Sequence, residues 1–82
     1  MPYIKQNRRD EIDYILTEFE NCKIEANGDL NYLLFKFCKY GIPHSYNSLK
    51  NYIGELRQCA SEIERKILGP YENSKEEENG GV

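Results

Sequence analysis

The sequence predicts an all-α small domain of three helices, at about residues 8–22, 29–40 and 46–68, followed by an acidic C-terminal tail. Apolar residues recur at steps of three and four, the period of one helix face. Each such stretch opens on a capping side chain and closes at a turn or breaker residue. The composition agrees: 82 residues, 39% hydrophobic and 30% charged, make one domain with a core and a solvated surface, and six glycines with three prolines are too few for a loop-dominated chain. Residues 1–69 form the helical domain and residues 70–82 the tail.

The first helix runs from Arg8 to about Cys22, with Asn7 as its cap and Asp10 placed to close a capping box. Ile12, Ile15, Phe19 and Cys22 form its apolar stripe, and Asn27-Gly28 reads as a turn. Asp29 caps the second helix, and Gly41 followed by Pro43 ends it. Leu30, Leu33, Leu34, Phe37 and Cys38 make its main face, while Tyr32, Phe35 and Tyr40 leave little of the circumference polar. A helix apolar nearly all round is covered on more than one side. The third helix, capped by Ser45 or Asn47, carries the most regular seam: Leu49, Ile53, Leu56, Ala60, Ile63 and Ile67. Gly69 and Pro70 stop it. Gly54 lies inside it at a cost of about 1 kcal/mol relative to Ala, which the close approach of another helix or a ligand would offset. The remaining segment is Glu-rich and by composition disordered, with Tyr71 and Val82 its only apolar anchors.

These faces imply self-association. Seven tyrosines and three phenylalanines must be placed, and burying each stabilises by roughly 1.5–3 kcal/mol. A chain this short cannot hide them all, so a homo-oligomer is expected, a symmetric dimer or a multiple of it.

The net charge of −3 resides in residues 70–82, where Glu72, Glu76, Glu77 and Glu78 face only Lys75. A neutral body with an acidic tail lacks the positive field of non-specific nucleic-acid binding, so no nucleic-acid partner is expected. No apolar run approaches the roughly 18 residues of a membrane span, and the first twenty residues lack the order of a secretory signal. A cytoplasmic protein without membrane partners is expected. Cys22, Cys38 and Cys59 lack Cys-x-x-Cys spacing and accompany a single histidine, His44, so the expectation is buried reduced thiols and no metal site. Cys38 and His44 form a nucleophile–base pair in principle only, since a separation of six positions with a Gly and a Pro between them specifies no geometry.

Three groups of side chains are candidate binding sites. Lys5, Arg8 and Arg9 gather at the positive end of the first helix, where the macrodipole disfavours cations. Either Asp10, Glu11 and Asp13 neutralise them, or helix N–H groups and two guanidinium forks converge on a phosphate or carboxylate. Asn31 and Tyr32, with Tyr40, His44, Tyr46 and Lys50, suit a nucleobase that stacks on rings and hydrogen-bonds at its edge, although tyrosines in small helical proteins commonly sit half-buried in the core. Arg65 and Lys66 with Tyr71, Glu72 and Asn73 form a third group, whose cations also serve as ordinary partners of a helix C-terminus. There is no Gly-rich phosphate loop, no Gly-x-Ser-x-Gly and no His-Glu-x-x-His. Glu62 and Glu64, two apart on a helix, point to different faces. No enzyme and no cofactor is expected.

The opening Met1-Pro2-Tyr3-Ile4 with Arg8-Arg9, the Gly28-Asp29-Leu30-Asn31-Tyr32 entry to the second helix and the Pro70-Tyr71-Glu72 … Lys75 … Asn79-Gly80 ending resemble a family of short uncharacterised proteins from tailed phages and prophages. Gly81 departs from the acidic residue of that pattern. The resemblance supplies no activity. It implies a phage setting in the host cytoplasm, where small oligomers disarm host defence, some by sequestering nucleotide immune signals between subunits. The expected function is therefore a non-catalytic oligomer holding an anionic small ligand, a cyclic or ADP-ribose-type nucleotide, with Arg8 and Arg9 on phosphate, Asn31 on base or ribose, Tyr32 or Tyr71 stacking, and Arg65 as a further ligand-binding residue. The alternative is a protein-interaction module that inhibits or adapts a host or phage protein.

Overall fold

The computed structural model of the chain describes residues 4–80, and every regular element among them is helical. Helix α1 spans Gln6–Asn21, α2 spans Asp29–Tyr40 and α3 spans Tyr46–Ile63; a π-helical turn, Glu64–Leu68, then joins α3 to α4, Gly69–Glu78. The all-α class and the three expected helices are therefore present. The chain divides into two compact units, Met1–Pro43 and His44–Val82. The opening Met1-Pro2-Tyr3 and the closing Gly81-Val82, with the apolar anchor expected at Val82, lie outside the described residues.

In the first unit, α1 begins two residues earlier than Arg8. Lys5 is its N-cap, and the Lys5 carbonyl accepts the N–H groups of both Arg8 and Arg9 at 3.0 Å. Asn7, expected as the cap, instead sits inside the first turn, where its Oδ1 accepts from the Arg8 N–H at 2.9 Å. The far end closes in a Schellman motif. The Ile24 N–H donates to the Phe19 carbonyl at 3.2 Å and the Lys23 N–H to the Glu20 carbonyl at 3.1 Å, which satisfies carbonyls the helix end would leave unpaired. This motif requires a left-handed residue, and Lys23 takes it at φ 54°. Glycine usually fills that position, because a Cβ there costs about 1–2 kcal/mol.

Asp29, expected as the cap of α2, is its first helical residue. The N-cap is Gly28, whose φ of 114° is closed to L side chains. Asp29 serves the preceding turn, donating its N–H to Asn27 Oδ1 at 3.1 Å and accepting the Glu25 N–H at 3.4 Å. Gly41 ends α2 for a steric reason. Its N–H reaches the Phe37 carbonyl at 2.7 Å, and a Cβ on Gly41 would stand 2.8 Å from that oxygen and 2.9 Å from Phe37 Cδ1.

In the second unit, Ser45 caps α3, its Oγ accepting the Ser48 N–H at 3.1 Å. Gly69 and Pro70 do not stop the helix. Proline lacks the N–H of the α ladder, and its ring crowds the carbonyl four residues back. The π turn relieves that crowding by widening the helix by one residue, and the Gly69 N–H donates to the Glu64 carbonyl five residues back. The chain then continues in α4 to Glu78, so residues 70–78 are helical where composition implied disorder. Extending an existing helix avoids the cost of a new nucleus, and Glu and Lys are good helix formers. Lys75 also pairs with Glu78 at 3.2 Å.

Little of the apolar surface is covered. Ile42, 8% exposed, is the one buried apolar side chain among the described residues. Along the α3 seam, Ile53 and Ile63 remain about half exposed, at 48% and 49%, and Phe35 and Tyr40 of α2 are at 65% and 72%. Within the chain itself nothing lies within 4 Å of a Cβ built at Gly54, so no other part of the chain makes the close approach there. The thiols of Cys22 and Cys59 are exposed and that of Cys38 half-buried, so the expected burial fails for the first two, whose helix faces remain open to solvent.

Two substitutions check these junctions by urea denaturation. Lys23→Gly relieves the left-handed strain and is expected to raise stability by about 1 kcal/mol. Gly41→Ala forces a carbon against the Phe37 carbonyl and ring, with an expected loss of about 1–3 kcal/mol.

Candidate functional site

The basic group at the head of α1 is held by its own neighbours. Arg8 Nη1 meets Glu11 Oε2 at 2.7 Å, both side chains about 63% exposed, and Gln6 Nε2 donates to Asp10 Oδ1 at 3.0 Å. Glu11 thus partly neutralises the cluster. Arg9 is exposed and has no ion pair among the described residues.

At the head of α2, Asn31 is exposed and Tyr32 presents its ring to solvent. Lys36, one turn on, donates to the Tyr32 hydroxyl at 3.0 Å, its ammonium 5.3 Å from the ring centroid. Tyr71 on α4 repeats the arrangement, with Lys75 5.7 Å from its centroid. Lys39 lies 5.4 Å from the ring of Tyr40. Such cation–π contacts at exposed sites contribute about 0.5–1 kcal/mol. They hold a positive charge beside a flat aromatic surface. Lys36 and Lys75 were not among the expected site residues, yet the tyrosine-to-lysine spacing of four marks them, because residues four apart share a helix face.

The local geometry separates the two groups of the first unit. Arg8 lies about 20 Å along α1 from Asn21, at 1.5 Å per residue. Bonds from Ile24 to Phe19 and from Leu30 to Glu25 then keep the connecting loop and the start of α2 near the C-terminal end of α1. Arg8 and Arg9 therefore stand at one end of α1, and Asn31 and Tyr32 near the other. In the second unit, Arg65 is an exposed residue of the π turn and Tyr71 follows on α4, about 9 Å further along the axis.

Lys50 and Arg57, seven residues apart, flank one edge of the α3 seam, and Tyr46, seven before Ile53, continues the seam itself. With Leu49, Ile53 and Gly54 they line an open hollow of about 460 Å³. Arg57 was not singled out from sequence, although its seven-residue spacing from Lys50 places it on the same flank. Glu62 is buried, accepting from Gln58 Nε2 at 3.3 Å and standing 4.0 Å from Lys66 Nζ, while Glu64 is exposed, so the two carboxylates do face different ways. No cluster of three or more His, Cys, Asp or Glu with metal-binding geometry occurs among the described residues. Nor is any helix among them long and apolar enough to cross a membrane.

What fold and surface define is a small helical protein with paired tyrosine–lysine faces and an uncovered apolar seam. The chain matches, over residues 1–82, the family described as Domain of unknown function (DUF6899), and it belongs to that family. No curated protein and no solved structure matches it.

Because the Arg8–Glu11 pair is exposed, its removal costs little. Arg8→Ala is expected to change unfolding free energy by less than about 1 kcal/mol, and the small loss should vanish in 0.5 M NaCl. A larger loss in chemical denaturation would assign Arg8 a structural role.

Proposed function

We propose that the protein is a non-catalytic binding protein that works as a homo-oligomer and holds an anionic small ligand where copies meet. One observation carries the reading: units of about forty residues leave their apolar helix faces open. Domains of that size are ordinarily stabilised by disulfides, by metals or by association. Here all three cysteines are free and no metal cluster occurs among the described residues, which favours association.

The ligand class follows from the exposed chemistry. Arg9 and Arg65 supply guanidinium forks for phosphate. Tyr32 and Tyr71 supply rings for stacking, each with an ammonium beside it. This combination suits a cyclic or ADP-ribose-type nucleotide, with Asn31 on the base or ribose and Arg8 joining once it exchanges Glu11 for phosphate. The separation of Arg8 and Arg9 from Asn31 along α1 means that a small ligand touching both groups draws them from two copies. In a phage setting such capture would remove a host immune signal.

A second reading is a protein-interaction module, favoured by α2, whose Tyr32, Phe35, Phe37 and Tyr40 leave apolar surface open on several sides. Sedimentation at micromolar concentration and calorimetry with a nucleotide panel separate the two. The ligand reading expects an oligomer, heat from at least one nucleotide, and affinity reduced about tenfold or more in Arg9→Ala and in Arg65→Ala, the scale of one charge-assisted hydrogen bond. An oligomer that gives no heat with any nucleotide, yet takes up a host protein stoichiometrically, selects the second reading.

A further inference from the structure

Resting on the homo-oligomer reading above, we infer that two copies of the chain join through their α3 seams as an antiparallel, two-fold symmetric helix pair centred near Gln58. The seam alternates steps of four and three from Leu49 to Ile63, the repeat by which one helix packs along another. It remains open, and the hollow beside it stands over Gly54 with nothing within 4 Å.

The order of side chains selects the antiparallel arrangement. With the helices antiparallel, Leu56 faces the partner's Ala60 and Ile53 faces the partner's Ile63. Large then meets small at the centre, and no layer is left hollow. Leu49 meets the partner's π turn, where the extra residue rotates Ile67 off the seam and brings Leu68 toward it. Their exposures, 64% and 45%, fit that rotation. A parallel pair would instead set Ala60 against the partner's Ala60 and leave a void, which costs stability in proportion to its volume.

Charge complementarity agrees. In the antiparallel register Lys50 lies opposite the partner's Glu64, twice by symmetry. Both residues are exposed, and neither has an ion pair among the described residues. A parallel pair offers neither residue an opposite charge, since Lys50 would face the partner's Ser45 and Glu64 the partner's Cys59. The antiparallel register also brings Arg57 toward the partner's Arg57 near the axis, a like-charge approach that weakens the dimer at low salt. Cys59 and the partner's Cys59 come together on the other edge.

The experiment uses the full chain with Cys22→Ser and Cys38→Ser, leaving Cys59 alone, and a short bismaleimide cross-linker, with sedimentation in parallel. Rapid covalent dimer through Cys59 is expected, and little from a control that retains only Cys22. In 50 mM salt, Lys50→Glu and Glu64→Lys are each expected to weaken the dimer about tenfold. The double exchange restores it, and Arg57→Gln tightens it severalfold. A chain that sediments as a dimer but fails to cross-link at Cys59, with both charge reversals silent, overturns this pairing and leaves self-association standing. A monomer at 50 µM overturns both.

Discussion

The rest of this structure depends on the disproportion between apolar helix surface and the length of chain available to cover it. A helix face with leucine, isoleucine or phenylalanine every third or fourth residue is stabilised only when another surface removes it from water. Each unit here has about forty residues to provide that surface, and among the described residues a single apolar side chain, Ile42, is buried. The exposed thiols of Cys22 and Cys59 and the open space over Gly54 are local expressions of the same shortage. No disulfide relieves it.

What order the chain has is set mainly by its backbone junctions. The Schellman closure of α1 uses Lys23 where glycine would be unstrained. The entry to α2 uses Gly28 where an L side chain is not admitted, and its exit uses Gly41 because Phe37 occupies the space of a Cβ. The joint between α3 and α4 keeps its hydrogen bonds by widening one turn around Pro70. That widening also changes phase. Beyond it side chains are displaced by about one residue round the helix, so Leu68 rather than Ile67 continues the apolar line, and the acidic residues of α4 extend a rod instead of ending it.

The polar chemistry is organised over the same short distances. Arg8 with Glu11, Gln6 with Asp10, Tyr32 with Lys36 and Tyr71 with Lys75 are all pairs three or four residues apart on one helix. Such pairs contribute tenths of a kcal/mol and leave both partners reachable from water. They create charged and aromatic surfaces without creating a pocket. On the function proposed above, a small anion would be captured only where copies associate.

Much was legible in the sequence because it is local. The periods of three and four located α1, α2 and α3, Ser45 announced the start of α3, Asn27-Gly28 the turn before α2, and Gly41 with Pro43 the end of α2. The Tyr-to-Lys spacings and the Lys50-to-Arg57 step were equally present in the letters. The first cap, at Asn7, and the second, at Asp29, were misplaced, since a side chain able to cap can as readily serve a neighbouring turn. Lys23 gave no warning, because a left-handed lysine looks like any other. At Gly69-Pro70 the letters signal a stop, and only the folded chain shows that a π turn absorbs the proline and lets the helix run on. Propensity and spacing act between residues a few positions apart and are written in the sequence. Which groups remain exposed, and how a turn rearranges its hydrogen bonds to keep them, depend on atoms meeting in space, and the tertiary structure alone decided them.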